Sequence, residues 1–180
     1  KYKAEFAKVY DDGVTKANIT DAIAEYEKSL ITPSRFDKYL RGDMTAITEA
    51  EKKGYETFKE VGCTACHSGI NVGGAMFQKL GLVKDYFKDR GTPLTDADLG
   101  RFNATKKEQD KYFFKVPTLR NVELTAPYLH DGSRATLEET VKLMGTYQLG
   151  RDLTEAQVNG IVTFLKSLTG ELPEHARPQG

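Results

Sequence analysis

Several features that mark other protein classes are missing from this 180-residue sequence. Lysine plus arginine and aspartate plus glutamate both number 26, so the formal charge is zero. With no long basic run either, no nucleic-acid partner is expected. No apolar stretch approaches the ~20 residues that a membrane-spanning helix needs. No secretory signal pattern follows Lys1. Apolar–polar alternation long enough for a strand is absent, as is any internal repeat. Only two cysteines occur, too few on their own for a thiolate zinc site. What remains, 39% hydrophobic and 29% charged residues, suits one globular domain, or one domain with an extension. Such a chain is long enough to bury a core.

Both cysteines fall in one short run, Cys63-Thr64-Ala65-Cys66-His67. Cys-x-x-Cys-His is the attachment signature of c-type haem. Two thiols about one helical turn apart can form thioethers with the two vinyl groups of one porphyrin. The next residue, His67, then falls beneath the iron as its proximal ligand. Two rival readings fit less well. A redox dithiol would want a βαβ context, which is not visible. A zinc site would want two more thiolates or imidazoles at close spacing. Covalent haem attachment normally takes place outside the cytoplasm. The expected location is therefore the periplasm, and the expected form is mature, its export signal removed.

Helical periodicity surrounds the motif. Ile19, Ile23, Tyr26 and Leu30 recur at helical spacing, with Asn18 or Thr20 as cap and Pro33 as stop. A short helix follows around Phe36, Tyr39 and Leu40, ending at Gly42. Thr48 and Glu51 make a capping-box pattern for a helix through Tyr55 and Phe58 to Val61, and Gly62 breaks it just before Cys63. Thr136 with Glu139 opens another helix through Leu137, Val141 and Met144. Thr154 with Gln157 opens the last, apolar at Val158, Ile161, Val162, Leu165 and Leu168, with Gly170 as its cap and Pro173 preventing continuation. Glycines and prolines punctuate residues 68–135, which predicts long loops and one short helix near Phe77–Leu80. The fold class expected is all-α: a cytochrome c-like helical domain with long loops wrapped around one covalently bound haem. The tail from Glu171 is polar, and either disordered or docked on something else.

A haem iron held by one histidine has a sixth position to fill. The candidates are Met44, Met76, Met144, His130 and His175. Met44 precedes the motif, Met76 follows it too closely to reach the opposite haem face easily, and His175 sits in the tail. Met144 lies far downstream on a capped helix, beyond a loop long enough to circle a porphyrin. The plainer reading of Met144 is a core methionine on an apolar helix face, which is common. His130 is the rival ligand, and a bis-histidine haem would have a lower potential than a His/Met one. A lone histidine in a Tyr128-to-Gly132 loop is more often a hydrogen-bonding residue. The residue pattern alone leaves these alternatives open.

Further along, the sequence resembles a known family. Phe114-Lys115-Val116-Pro117-Thr118-Leu119-Arg120-Asn121-Val122 is followed by Leu124-Thr125-Ala126-Pro127-Tyr128-Leu129-His130-Asp131-Gly132. Thr136-Leu137-Glu138-Glu139 come next, then Met144 with Gln148-Leu149-Gly150. Downstream of Cys63 to His67, this ordered series is similar to the C-terminal half of the bacterial dihaem cytochrome c peroxidases, and the likeness covers nearly the whole chain. The resemblance implies the high-potential, electron-accepting haem of that family, with His67 proximal and Met144 distal. It also implies a calcium ion held partly by main-chain carbonyls, here those of Thr125 and Pro127; carbonyl oxygen is the hard ligand calcium prefers. Pro117 to Asn121 would shape the haem surroundings, with Arg120 as a propionate partner. The plainer alternative for Arg120 is a surface salt bridge.

That family carries two haem motifs, and this sequence carries one. Phe6 to Gly42, with Ala22-Ile23-Ala24-Glu25-Tyr26-Glu27 and Phe36-Asp37, resembles the closing stretch of the family's N-terminal, peroxide-cleaving domain. The organisation expected is 1–45 from that domain, 46–170 as the c-type cytochrome domain and 171–180 as a tail, in a chain that begins inside a larger protein. By resemblance, the function is electron transfer for the reduction of hydrogen peroxide to water. A small cytochrome c or copper protein would reduce this haem, which would relay electrons to a peroxidatic haem in the N-terminal domain. The isolated chain should then have little activity of its own. A second copy, as a homodimer, is a further partner expected. The alternative is a free-standing monohaem electron carrier, told apart by whether the gene encodes a second Cys-x-x-Cys-His upstream. A weaker alternative, a haem-based ligand sensor, would need an open sixth position.

Overall fold

The computed structural model describes residues 1–177 and divides the chain into two compact units, Lys1–Pro33 with the tail from Glu171, and Ser34–Gly170. In the first unit lie α1 (Tyr2–Val9) and α2 (Lys16–Ser29). Thr15 caps α2 in place of Asn18 or Thr20, its hydroxyl accepting from the Asn18 amide at 3.1 Å. The Asn18 side chain is engaged elsewhere, donating to Asp12 and to the Gly13 carbonyl at 2.6 and 2.7 Å. Thr20 turns its hydroxyl back onto the Lys16 and Ala17 carbonyls. Ile19, Ile23 and Tyr26 are exposed, so the periodicity marks the helix but no core. In the tail, the His175 Nε2 lies 2.9 Å from the Ser29 hydroxyl. The expected tail 171–180 extends three residues beyond Arg177, outside the described residues.

The second unit begins with α3 (Arg35–Leu40) and α4 (Glu49–Val61). Thr48 and Glu51 form the predicted box: the Thr48 hydroxyl accepts from the Glu51 amide at 3.2 Å, and the Glu51 carboxylate accepts from the Thr48 amide at 2.8 Å. Each bond satisfies an N–H that the first helical turn leaves without a partner. Gly62 then takes φ +103 and ends α4 at the motif. Beyond it come β1 (Phe77–Lys79), α5 (Tyr86–Arg90), α6 (Phe102–Thr105), β2 (Phe113–Lys115), α7 (Leu137–Gln148) and α8 (Glu155–Lys166).

Two corrections to the expected fold follow. Phe77–Lys79 is a strand instead of a helix, paired antiparallel with β2 so that Phe77 faces Lys115 and Lys79 faces Phe113. Three-residue strands are too short to leave a period in the sequence, and the pairing is non-local. The protein is thus mostly helical with a little sheet. The last helix closes at Ser167, whose buried hydroxyl donates to the Phe164 carbonyl at 2.6 Å. Gly170, the expected cap, instead bridges to Ser34 and donates its amide to Asn121 at 2.9 Å.

Residues 34–45 group with the second unit, whereas the expected boundary followed residue 45. Packing explains the grouping. Phe36 meets Phe164 and Tyr55 edge-on, with ring centroids 5.1 and 4.9 Å apart. The main core joins Phe36 to Phe58, Val61, Val158, Ile161, Phe164 and Leu168. It depends on a close approach of α4 to α8, where a Cβ added to Gly54 would overlap the Gly160 carbonyl oxygen. A second cluster joins Leu80, Tyr86, Phe87 and Leu143, with Met144 and Leu129 packed against it. Among the described residues no helix is long and apolar enough to cross a membrane.

Candidate haem-attachment site

The left-handed turn at Gly62 leads α4 directly into a 3₁₀ turn at Cys63–Ala65. Its hydrogen bonds run from the Cys66 and His67 amides to the Cys63 carbonyl, at 3.3 and 3.0 Å. Both thiols are free and half-buried. Burial pushes the Cys63 thiol up to about 11. A redox dithiol works the other way, through a thiol whose pKa is lowered. The raised value at Cys63 thus does not match a redox dithiol.

His67 is held from two sides. Its ring lies 6.5 Å from that of Phe58, and its Nδ1 is buried without a hydrogen bond. Burial lowers its pKa, and the nearby backbone of Val72 and Pro117 partly opposes that. A neutral imidazole is the form that ligates a metal. The loop that brings this backbone close is strained. Val72 has φ +48, which a β-branched residue rarely adopts. It is pinned by its amide to the Gly69 carbonyl at 2.9 Å and by its carbonyl to the Leu119 amide at 3.2 Å. A Cβ on the adjacent Gly73 would overlap the Pro117 carbonyl oxygen and lie 3.2 Å from His67 Nδ1. Gly73 is thus required by the approach to His67, a role that its reading as loop punctuation missed. Val72 carried no signal in the sequence at all.

A cleft of about 260 Å³ opens beside His67, walled by Phe36, Phe58, Val72 and Phe164 and rimmed by Arg120. It lies just below the ~300–1,000 Å³ usual for cofactor sites, so it supplies one wall and not a full enclosure. Arg120 sits where the sequence places it but is already engaged. Its two terminal nitrogens donate to Asp37 at 2.7 and 2.8 Å, and its Nε donates to the Ile70 carbonyl at 2.8 Å. The Arg120 guanidinium holds the Asp37 carboxyl well below the usual carboxylate range. The plainer reading of Arg120 as a salt-bridge residue describes these contacts, except that the pair is mostly buried.

The other candidates separate clearly. Met144 is half-buried on α7 and packs into the second cluster. Met44 and Met76 are exposed. His130 donates from Nε2 to the buried Asp98 at 2.7 Å, the hydrogen-bonding role weighed for it from the sequence. Thr125 and Pro127 lie in an exposed segment with a cis Ala126–Pro127 peptide. Among the described residues, one group of three potential metal-binding side chains converges: Asp98, His130 and Asp131. Arg90 already supplies the positive charge there, 2.8 Å from Asp98 and 3.4 Å from Asp131. The donor chemistry fits haem c at Cys63, Cys66 and His67: two free thiols and an adjacent neutral imidazole in one turn.

A mostly helical fold that presents a Cys-x-x-Cys-His turn defines a class, the c-type haem proteins. The family model described as di-haem cytochrome c peroxidase matches residues 1–45. Cytochrome c peroxidase Ccp of Escherichia coli is 54% identical over 169 residues, covering 93% of this chain and 36% of the relative. The cytochrome c551 peroxidase of Nitrosomonas europaea is 47% identical over 180 residues, covering 99% of this chain and 52% of the relative. The crystal structure of a MauG-like protein associated with microbial copper homeostasis matches with TM-score 0.69 and 28% identity, covering 91% of this chain and 60% of that one. The chain belongs to the di-haem cytochrome c peroxidase family. It spans about half the length, or less, of these curated relatives.

Proposed function

We propose that the chain is the electron-transferring haem domain of a peroxidase that reduces hydrogen peroxide to two waters with two electrons and two protons. Bound haem would supply one-electron storage. Cys63 and Cys66 would anchor it, His67 would be the proximal ligand, and Met144 would supply sulfur from the second cluster. A thioether favours ferrous iron, and an apolar surrounding disfavours the extra charge of the ferric state; both raise the potential. With its sixth position filled, this centre would relay electrons and leave peroxide cleavage to a second haem domain. The proposed donor is a small cytochrome c or copper protein, and the proposed location is the periplasm. Carbonyls of Thr125 and Pro127 are proposed calcium ligands, and a homodimer is the proposed assembly.

One observation carries this reading. The single attachment motif opens from one apolar cluster through His67, while Met144 is held in another by a capped helix. The test is peroxide turnover by the haem-loaded 180-residue chain with a reduced donor. One-electron oxidation and reduction of the chain without sustained peroxide consumption is expected. Fast, saturable turnover would refute the relay assignment.

A further inference from the structure

Asp98 is the most deeply buried charged side chain in the second unit, 1% exposed in the turn Asp96–Leu99. Its Oδ1 accepts from Arg90 Nη1 at 2.8 Å and from His130 Nε2 at 2.7 Å. Its Oδ2 accepts from Arg90 Nη2 at 2.8 Å, and from the Thr95 amide and hydroxyl at 2.7 and 3.0 Å. The Arg90 guanidinium keeps this carboxyl ionised, far below its ordinary range. An ionised carboxylate only accepts, so His130 Nε2 carries the hydrogen. The network joins three separate pieces of chain: the end of α5, the turn at 96–99 and the segment around His130.

Next to His130 stands Leu129 with φ +70. A side-chain-bearing residue keeps that backbone only where its surroundings over-determine it. The constraints are visible. The segment is closed by the Tyr128 amide donating to the Arg134 carbonyl at 2.7 Å. The His130 ring is bonded to Asp98 and packs on Phe114 with centroids 4.5 Å apart. The turn sends His130 toward Asp98, while Leu129 packs into the cluster that holds Phe87, Phe114 and Met144.

We propose that Arg90, Asp98 and His130 form a positioning clamp for Met144, holding the strained Leu129 turn against its cluster and so fixing where its sulfur lies. This rests on the reading of Met144 as the sixth ligand. His130 is a positioning residue, acting through Asp98 and Leu129.

The test uses the haem-loaded chain and imidazole, a small ligand that competes with a thioether for ferric iron. His130→Ala removes the donor to Asp98. His130→Gln keeps one, because its amide nitrogen reaches the place of Nε2. Imidazole should bind His130→Ala at least about tenfold more tightly than the unaltered chain, in line with the usual effect of outer-shell partners, and bind His130→Gln nearly as weakly as the unaltered chain. Unchanged affinity in His130→Ala would overturn the clamp, as would equal shifts in the two variants. If His130→Ala does not load haem, His130→Leu replaces it against His130→Gln, and equal affinities again overturn the proposal. An unaltered chain that binds imidazole as tightly as Met144→Ala does would overturn both the clamp and the Met144 assignment, which distinguishes that failure from failure of the clamp alone.

Discussion

Arg120 illustrates what a residue reveals alone and what it conceals. Its charge and its neighbours in sequence mark it as a candidate for an anionic group, but its partner Asp37 lies 83 positions away. Nothing local in the sequence announces that pairing. Removing one member of a mostly buried pair leaves the other ionised without its partner. Arg120→Ala should therefore cost about 2–3 kcal/mol in denaturant unfolding. Asp37→Asn should cost a similar amount, and the double variant should cost less than the sum. Additive losses would mean that the two side chains act independently. Cys63, Cys66 and His67 stand out in the sequence because haem attachment calls for two thiols and a coordinating imidazole in a fixed order. Val72 does not, because its strain is imposed by Gly69 and Leu119 and leaves no mark in its own identity.

Elements were legible where their ends carry chemistry of their own. The boxes at Thr48, Thr136 and Thr154 each appear as predicted, since capping involves residues three apart. The β1–β2 ladder and the contact between α4 and α8 were not legible, because both depend on distant partners. That helix contact makes a prediction of opposite sign at two glycines. Replacing a helical glycine by alanine ordinarily stabilises by about 0.5–1 kcal/mol. Gly160→Ala should follow this rule, because the atom nearest to a new Cβ outside its own helix is the Gly54 Cα at 3.8 Å. Gly54→Ala should instead destabilise by about 2–3 kcal/mol, because its Cβ meets the Gly160 carbonyl. Denaturation midpoints of the two variants compare them directly. Equal midpoints would mean that the helices do not cross there.

Across the whole molecule, three arginine-paired carboxylates contribute to the response to acid. Arg120 depresses Asp37, Arg35 depresses Glu51 and Arg90 depresses Asp98. Their folded pKa values lie below the unfolded values of about 4. They therefore stabilise fully above that range and lose their contribution as pH falls through it and on toward the lower folded values. The urea midpoint should change little between about pH 7 and 5, then fall steeply between about 5 and 3. A flat profile down to pH 3 would show that these pairs contribute nothing to stability. At the same scale, the family was legible from ordered motifs. The grouping of residues 34–45 with the haem-motif unit was not, since it is settled by the packing of Phe36 and the pairing of Asp37.

The relay reading depends above all on a sulfur from Met144 reaching the iron that His67 would hold. The absorption spectrum of the ferric, haem-loaded chain beside its Met144→Ala variant tests this most directly. A weak long-wavelength sulfur-to-iron band in the unaltered chain that vanishes in the variant is the predicted result. A band absent from both, or present unchanged in both, would contradict it.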